Sequence, residues 1–166
     1  MPTVIDVNVL VALFSKHHDD LRDVRVQGLL RDTTSARGRL IIPAPALAEF
    51  AVKARDEELE FITSQKIFQI APFDAVAALE CGFMIREAFA SERKDERRKI
   101  KFDLQILAIA KVCRASRLVS DDNQLRKRAA ALDISGLRVL DLPIPDDKRQ
   151  IPLVLSEDTS QSIEDD

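Results

Sequence analysis

The 166-residue chain contains neither tryptophan nor tyrosine, and its aromatic residues are eight phenylalanines. Its core must therefore be assembled from Leu, Ile, Val and Ala, as in helix-rich α/β domains. There are only two cysteines, Cys81 and Cys113. They form no CxxC or CxxH spacing, which excludes a local zinc motif and leaves buried thiols of a reducing compartment. The two histidines, His17 and His18, are adjacent. On a helix they point in different directions and do not suit a shared zinc site. Positive charge is not in excess. The formal net charge of −3 gives no global pull toward nucleic acid, so an anionic ligand needs a local basic patch or a metal. No run is long and apolar enough to span a bilayer. The first apolar stretch lacks a basic leader and is interrupted by Asp6 and Asn8. A cytoplasmic protein with no membrane partner is expected.

What is present fits one folded domain, with 46% hydrophobic and 32% charged residues. "TVID" reads as a short strand, followed by helical spacing from Asn8 to about His17. "DDLRDVRVQGLLRD" is an amphipathic helix, "RLIIPA" a strand closed by Pro43, and "ALAEFAVKAR" a helix. "KIFQIAPF" leads into a long helix from Asp74 to about Lys99. "FDLQILAIAKVCRA" is a helix, "RLVS" a strand, "NQLRKRAAAL" a helix and "LRVLDL" a last strand. Strands alternating with helices imply a three-layer α/β/α domain around a mostly parallel sheet, spanning residues 1–142. Residues 143–166 are Pro-punctuated, then acidic, and read as a partly disordered surface tail in which "IPLVL" has docking potential.

Several acids sit in runs that otherwise read as core. Asp6 ends the first strand, Glu49 is the only charge between Ala44 and Val52, and Asp103 is the only charge from Phe102 to Ala110. Asp121 and Asp122 follow "RLVS" directly. Singly, Asp6, Asp103 and either of that pair have a bland use as helix caps, worth about 1 kcal/mol each. Glu49 lies inside its helix, where its bland use is an i,i+4 pair with Lys53. Jointly, they invite a different reading. The carboxyl ends of parallel strands line up along one sheet edge, where ligands bind. Two carboxylates 4 Å apart repel by about 4 kcal/mol at an effective dielectric near 20, so a cluster needs shared protons or a divalent cation. Oxygen donors without His or Cys select Mg²⁺ or Mn²⁺, which points to phosphoester chemistry.

These stretches resemble a known family. "VIDVNVLVALF" is similar to the D-x-[NST] opening of the PIN domain, a metal-dependent ribonuclease fold best known from VapC-type toxins of toxin–antitoxin pairs. "IIPAPALAEF" resembles the strand and helix that deliver the second acid, Glu49. "KIKFDLQILAIAKVCRASRLVSDDNQL" resembles the third block, where an Asp opens an alanine-rich helix and a strand ends in [ST]-x-D. The resemblance covers about residues 3 to 141. It implies Asp6, Glu49, Asp103 and Asp122 as the four catalytic carboxylates, with Asp6, Asp103 and Asp122 on the metal. Asn8 and Ser120 support the site, and Asp121 is an accessory. It also implies an RNA substrate, 5′-phosphate and 3′-hydroxyl products, a homodimer, and a cognate antitoxin that covers the acidic site.

For RNA attraction, Arg93, Lys94, Arg97, Arg98, Lys99 and Lys101 stand against only Asp95 and Glu96. This patch is a candidate phosphate contact, with a solvated helix end as its bland alternative. The first turns of the helices at Asp103 and Asn123 offer backbone N–H groups toward phosphate. Two rivals remain. A phosphatase of the haloacid dehalogenase type would use Asp6 as nucleophile, but Asn8 replaces the acid expected two residues on. A non-catalytic PIN-like module would bind RNA or protein without cleaving.

Overall fold

The computed structural model describes residues 2–15, 21–89 and 97–146. Among them, β1 (Thr3–Ile5), β2 (Leu40–Pro43), β3 (Phe68–Ala71), β4 (Arg117–Val119) and β5 (Ser135–Leu137) form one sheet in the order β3-β2-β1-β4-β5. Every pairing is parallel. Seven helices among the described residues cover it: α1 (Val7–Phe14), α2 (Arg22–Ser35), α3 (Ala44–Ala51), α4 (Asp56–Ser64), α5 (Ala75–Phe89), α6 (Arg97–Val112) and α7 (Asn123–Ala130).

Strand alternation explains the layers. Successive side chains of a strand point to opposite faces, and here both faces are apolar. Val4, Ile41 and Leu118 join one core with Cys81, Leu104 and Leu107 of α5 and α6. Their neighbours Ile5, Ile42 and Val119 join a second core with Leu10, Val26 and Ile62 of α1, α2 and α4. A sheet apolar on both sides must be sandwiched, so the expected three-layer α/β/α, PIN-like architecture is the one observed. Cys81 and Cys113 are both free thiols. No helix among the described residues is long and apolar enough to cross a membrane.

Three local expectations change. Helix α4 was not expected: "DEELEFITS" is short and holds only three apolar residues, yet it buries Ile62 and its first turn holds Asp56, Glu57 and Glu58, which suit a helix N-terminus. Of the long helix expected from Asp74 to about Lys99, α5 is seen to Phe89 and residues 90–96 lie outside the described residues; α6, expected from Phe102, already includes Arg97. The last strand is shorter and earlier than "LRVLDL". Its second half forms a 3-10 turn, Val139–Asp141, capped by Arg138 and Asp141. Pro43 ends β2 and Pro45 opens α3, as expected. His17, His18, Arg93 and residues 147–166 lie outside the described residues.

The chain runs from β1 outward through β2 to β3, then returns to the other side of β1 for β4 and β5. The reversal falls between β1 and β4. At such a point the loops leaving two adjacent strands diverge and open a crevice at their carboxyl ends.

Candidate active site

Asp6 follows β1 at that crevice. Its backbone N–H still donates to the Val119 carbonyl of β4 at 3.1 Å, and its side chain caps α1 by accepting from the Val7 N–H at 2.7 Å. The second carboxylate oxygen accepts from Ser120 Oγ at 2.7 Å. Asp6 is therefore a cap and a site residue together. It is 5% exposed. Burial pushes its pKa above the ordinary aspartate value; the Ser120 and Val7 hydrogen bonds oppose that rise, while Glu49 and Asp122 reinforce it through like charge.

Ser120, fully buried, organises the turn after β4. It donates to Asp6 and accepts from the Asp122 N–H at 3.0 Å. Asn8 faces the same group: its Oδ1 lies 3.3 Å from Ser120 Oγ and accepts from the Asp121 N–H at 3.2 Å. The amide oxygen is thus engaged in holding the turn. Arg126 adds a donor to the Ser120 carbonyl at 2.7 Å. Asp122 caps α7, one carboxylate oxygen accepting from Gln124 N–H at 2.7 Å and Leu125 N–H at 3.1 Å.

Asp103 is not a cap. It sits well inside α6, buried at 7% exposure, because the charged "RRKIK" segment is the helix's first turn rather than the end of the preceding helix. That also removes any α6 N-terminal N–H groups from Asp103. Those of Gln124 and Leu125 at the start of α7 are taken up by Asp122. Glu49 is exposed on α3, and no Glu49–Lys53 ion pair forms among the described residues.

Asp6, Glu49, Asp103 and Asp122 line one cavity of about 490 Å³, together with Asn8 and Phe102. A larger cavity of about 960 Å³ adjoins it, sharing Val7, Asn8, Glu49 and Val52, and includes Arg22 and Lys53. Among the described residues, no three His, Cys, Asp or Glu side chains are drawn tightly enough together to form a ready metal-holding group. The donors facing the cavity are nonetheless all hard oxygens, the set that suits Mg²⁺ or Mn²⁺. A cation there would offset the like-charge effect that Glu49 and Asp122 exert on Asp6.

Asp121 points elsewhere. It pairs with Arg22 of α2 and accepts from the Val139 N–H at 3.0 Å. Sequence reading missed Arg22 and Arg126. Each acts on a residue remote in sequence or through a backbone carbonyl, and neither leaves a local motif. Of the basic patch, Lys101 is exposed on α6 and Arg97, Arg98 and Lys99 belong to that helix; their side chains and Arg93 fall outside the described set.

No family model matches the chain, and no curated protein does. Similar solved structures include VapBC2 from Rickettsia felis bound to a DNA fragment from their promoter (18% identity, TM-score 0.56, 83% of this chain and 98% of that one). They also include FitAcB from Neisseria gonorrhoeae (20% identity, TM-score 0.56, 84% and 99%). Identity this low shows the fold alone. The assignment drawn from motifs is corrected accordingly: the chain is not placed in the PIN family as a VapC-type toxin. No family model recognises it, and the similar structures are VapBC2 and FitAcB assemblies related to it only in fold.

Proposed function

We propose that this protein is a metal-dependent endoribonuclease hydrolysing RNA phosphodiester bonds at the 490 Å³ cavity. The observation that carries the reading is that four carboxylates from α1, α3, α6 and α7 boundaries or interiors line that one cavity. Asp6, Asp103 and Asp122 would hold one or two Mg²⁺ or Mn²⁺ ions. Such an ion supplies activation of water and neutralisation of charge on the phosphate and leaving oxygen. The chain's own groups do the rest. Ser120 and Asn8 keep the Asp6 and Asp122 carboxylates oriented. Glu49, exposed at the rim, orients the attacking water or takes its proton. The apolar wall of Val7, Val52 and Phe102 limits bulk water around the reacting phosphate.

The likeness to VapBC2 and FitAcB supports a role related to toxin–antitoxin systems, with a cognate protein partner. A homodimer belongs to the same proposal, and light scattering of the purified chain tests it.

The deciding experiment incubates wild-type protein and Asp6→Asn with mixed cellular RNA, in Mn²⁺ or in chelator. Cleavage by wild type in Mn²⁺, lost in chelator and in the variant, is expected. Tight Mn²⁺ binding without RNA hydrolysis would replace the enzyme with a binding module.

A further inference from the structure

We infer that Arg22 is a positioning residue for the carboxylate cavity, acting through Asp121 to hold the Ser120–Asp122 turn. The inference rests on that cavity being the reaction site.

Arg22 opens α2, and its guanidinium donates to the Asp121 carboxylate. Asp121 is tied at three points. Its side chain accepts from Arg22 and from the Val139 N–H, and its backbone N–H donates to Asn8 Oδ1. Its two neighbours are Ser120, hydrogen-bonded to Asp6, and Asp122, on the cavity wall. A shift of Asp121 therefore moves a partner of Asp6 on one side and a cavity carboxylate on the other.

The start of α2 is built to make this contact. Leu21, just before Arg22, has φ 55°, a left-handed conformation that costs an L-residue about 1 kcal/mol or more. One turn on, Arg25 donates to the Leu142 carbonyl. Arg22 and Arg25 thus bracket the 3-10 turn, whose first N–H is held by Asp121. The Arg22 and Asp121 side chains are 37% and 24% exposed, and an ion pair so exposed contributes little to global stability. Its effect is on geometry. Pairing with Arg22 also keeps the Asp121 charge directed to α2 rather than into the cavity beside Asp122.

The test uses full-length Arg22→Met, Asp121→Asn and the double variant, with Lys111→Met as a control, because Lys111 pairs with Glu80 of α5, away from the turn. Amide hydrogen exchange at Asp121 and Asp122 reads the clamp without metal. Calorimetric Mn²⁺ affinity and the kcat–KM split on RNA read its consequence. Arg22→Met and Asp121→Asn should each speed exchange at both amides and weaken Mn²⁺ binding or lower kcat about 10-fold, with KM little changed. The double variant should be no worse than either single one. Arg22→Lys should recover part of the loss, and Lys111→Met should match wild type. Unchanged exchange and Mn²⁺ affinity in Arg22→Met, or an equal effect from Lys111→Met, would overturn the inference. If wild type takes up no Mn²⁺, the ribonuclease reading fails and the exchange data alone decide whether the clamp exists.

Discussion

Asp6 carries opposing demands. It stabilises the chain as a cap and as the Ser120 acceptor, yet its burial and its like-charged neighbours raise its pKa. A carboxyl whose folded pKa exceeds its unfolded one binds more protons in the native state, so stability falls as pH rises through the interval between the two values. Asp6→Asn removes that penalty. The hydroxyl of Ser120 can then turn to Asn8 Oδ1, already 3.3 Å away. In chelator, the variant should melt above wild type at neutral and alkaline pH, and the two curves should meet in acid, where both forms are uncharged. Scanning calorimetry across pH checks this; a gap that widens toward acid would contradict it. Adding Mn²⁺ should raise the melting temperature of wild type and not of the variant. Asp6, Glu49, Asp103 and Asp122 drew attention in sequence because each stands in or beside an apolar run, although Asp6 and Asp122 also serve as helix caps. Arg22 drew none, since its partner is 99 positions away and one arginine among many carries no signature.

At the scale of elements, the site depends on how tightly α7 sits on β5. A methyl group on Gly136 would lie 2.9 Å from Arg126 Cβ and 3.2 Å from its Cα, and backbone cannot yield as a side-chain tip can. Gly136→Ala should destabilise the fold by about 1–3 kcal/mol. Because α7 begins at Asp122 and Arg126 holds the Ser120 carbonyl, activity should fall further than the loss of folded protein explains. Urea unfolding together with active-fraction kinetics separates the two effects. The short apolar runs of β1 and β2 were readable from sequence. Helix α4 was not, because its nine residues hold only three apolar ones, Leu59, Phe61 and Ile62, amid a run of acids. The start of α6 was misread because a run of cations resembles the end of a helix, where the dipole favours them. In the fold Arg97, Arg98 and Lys99 belong to α6, nearly two turns before buried Asp103.

For the whole molecule, net charge of −3 means that the proposed RNA substrate would have to be attracted locally. The helix that carries Asp103 also carries Arg97, Arg98, Lys99 and Lys101 in its opening turns. If these cations meet the substrate, the slope of log affinity against log salt should flatten by about 0.7 for each one removed from contact with a single strand. Fluorescence anisotropy with labelled RNA, wild type against Arg97→Ala/Arg98→Ala, measures it. An unchanged slope would take the patch out of the account. The three-layer arrangement itself was legible, since alternating apolar strands and helices leave few other ways to bury both faces of a parallel sheet.

The placement of β1 in the middle of the sheet also sets an order of events at the ribosome. Its partner strand β2 follows within a few dozen residues, but β4, and with it the hydroxyl that meets Asp6, comes 114 positions later. A nascent polypeptide thus carries Asp6 long before the opposite wall of the pocket has been made. Whatever chemistry the pocket performs begins only after Ser120 has been made, and a copy cut short before it cannot assemble the pocket.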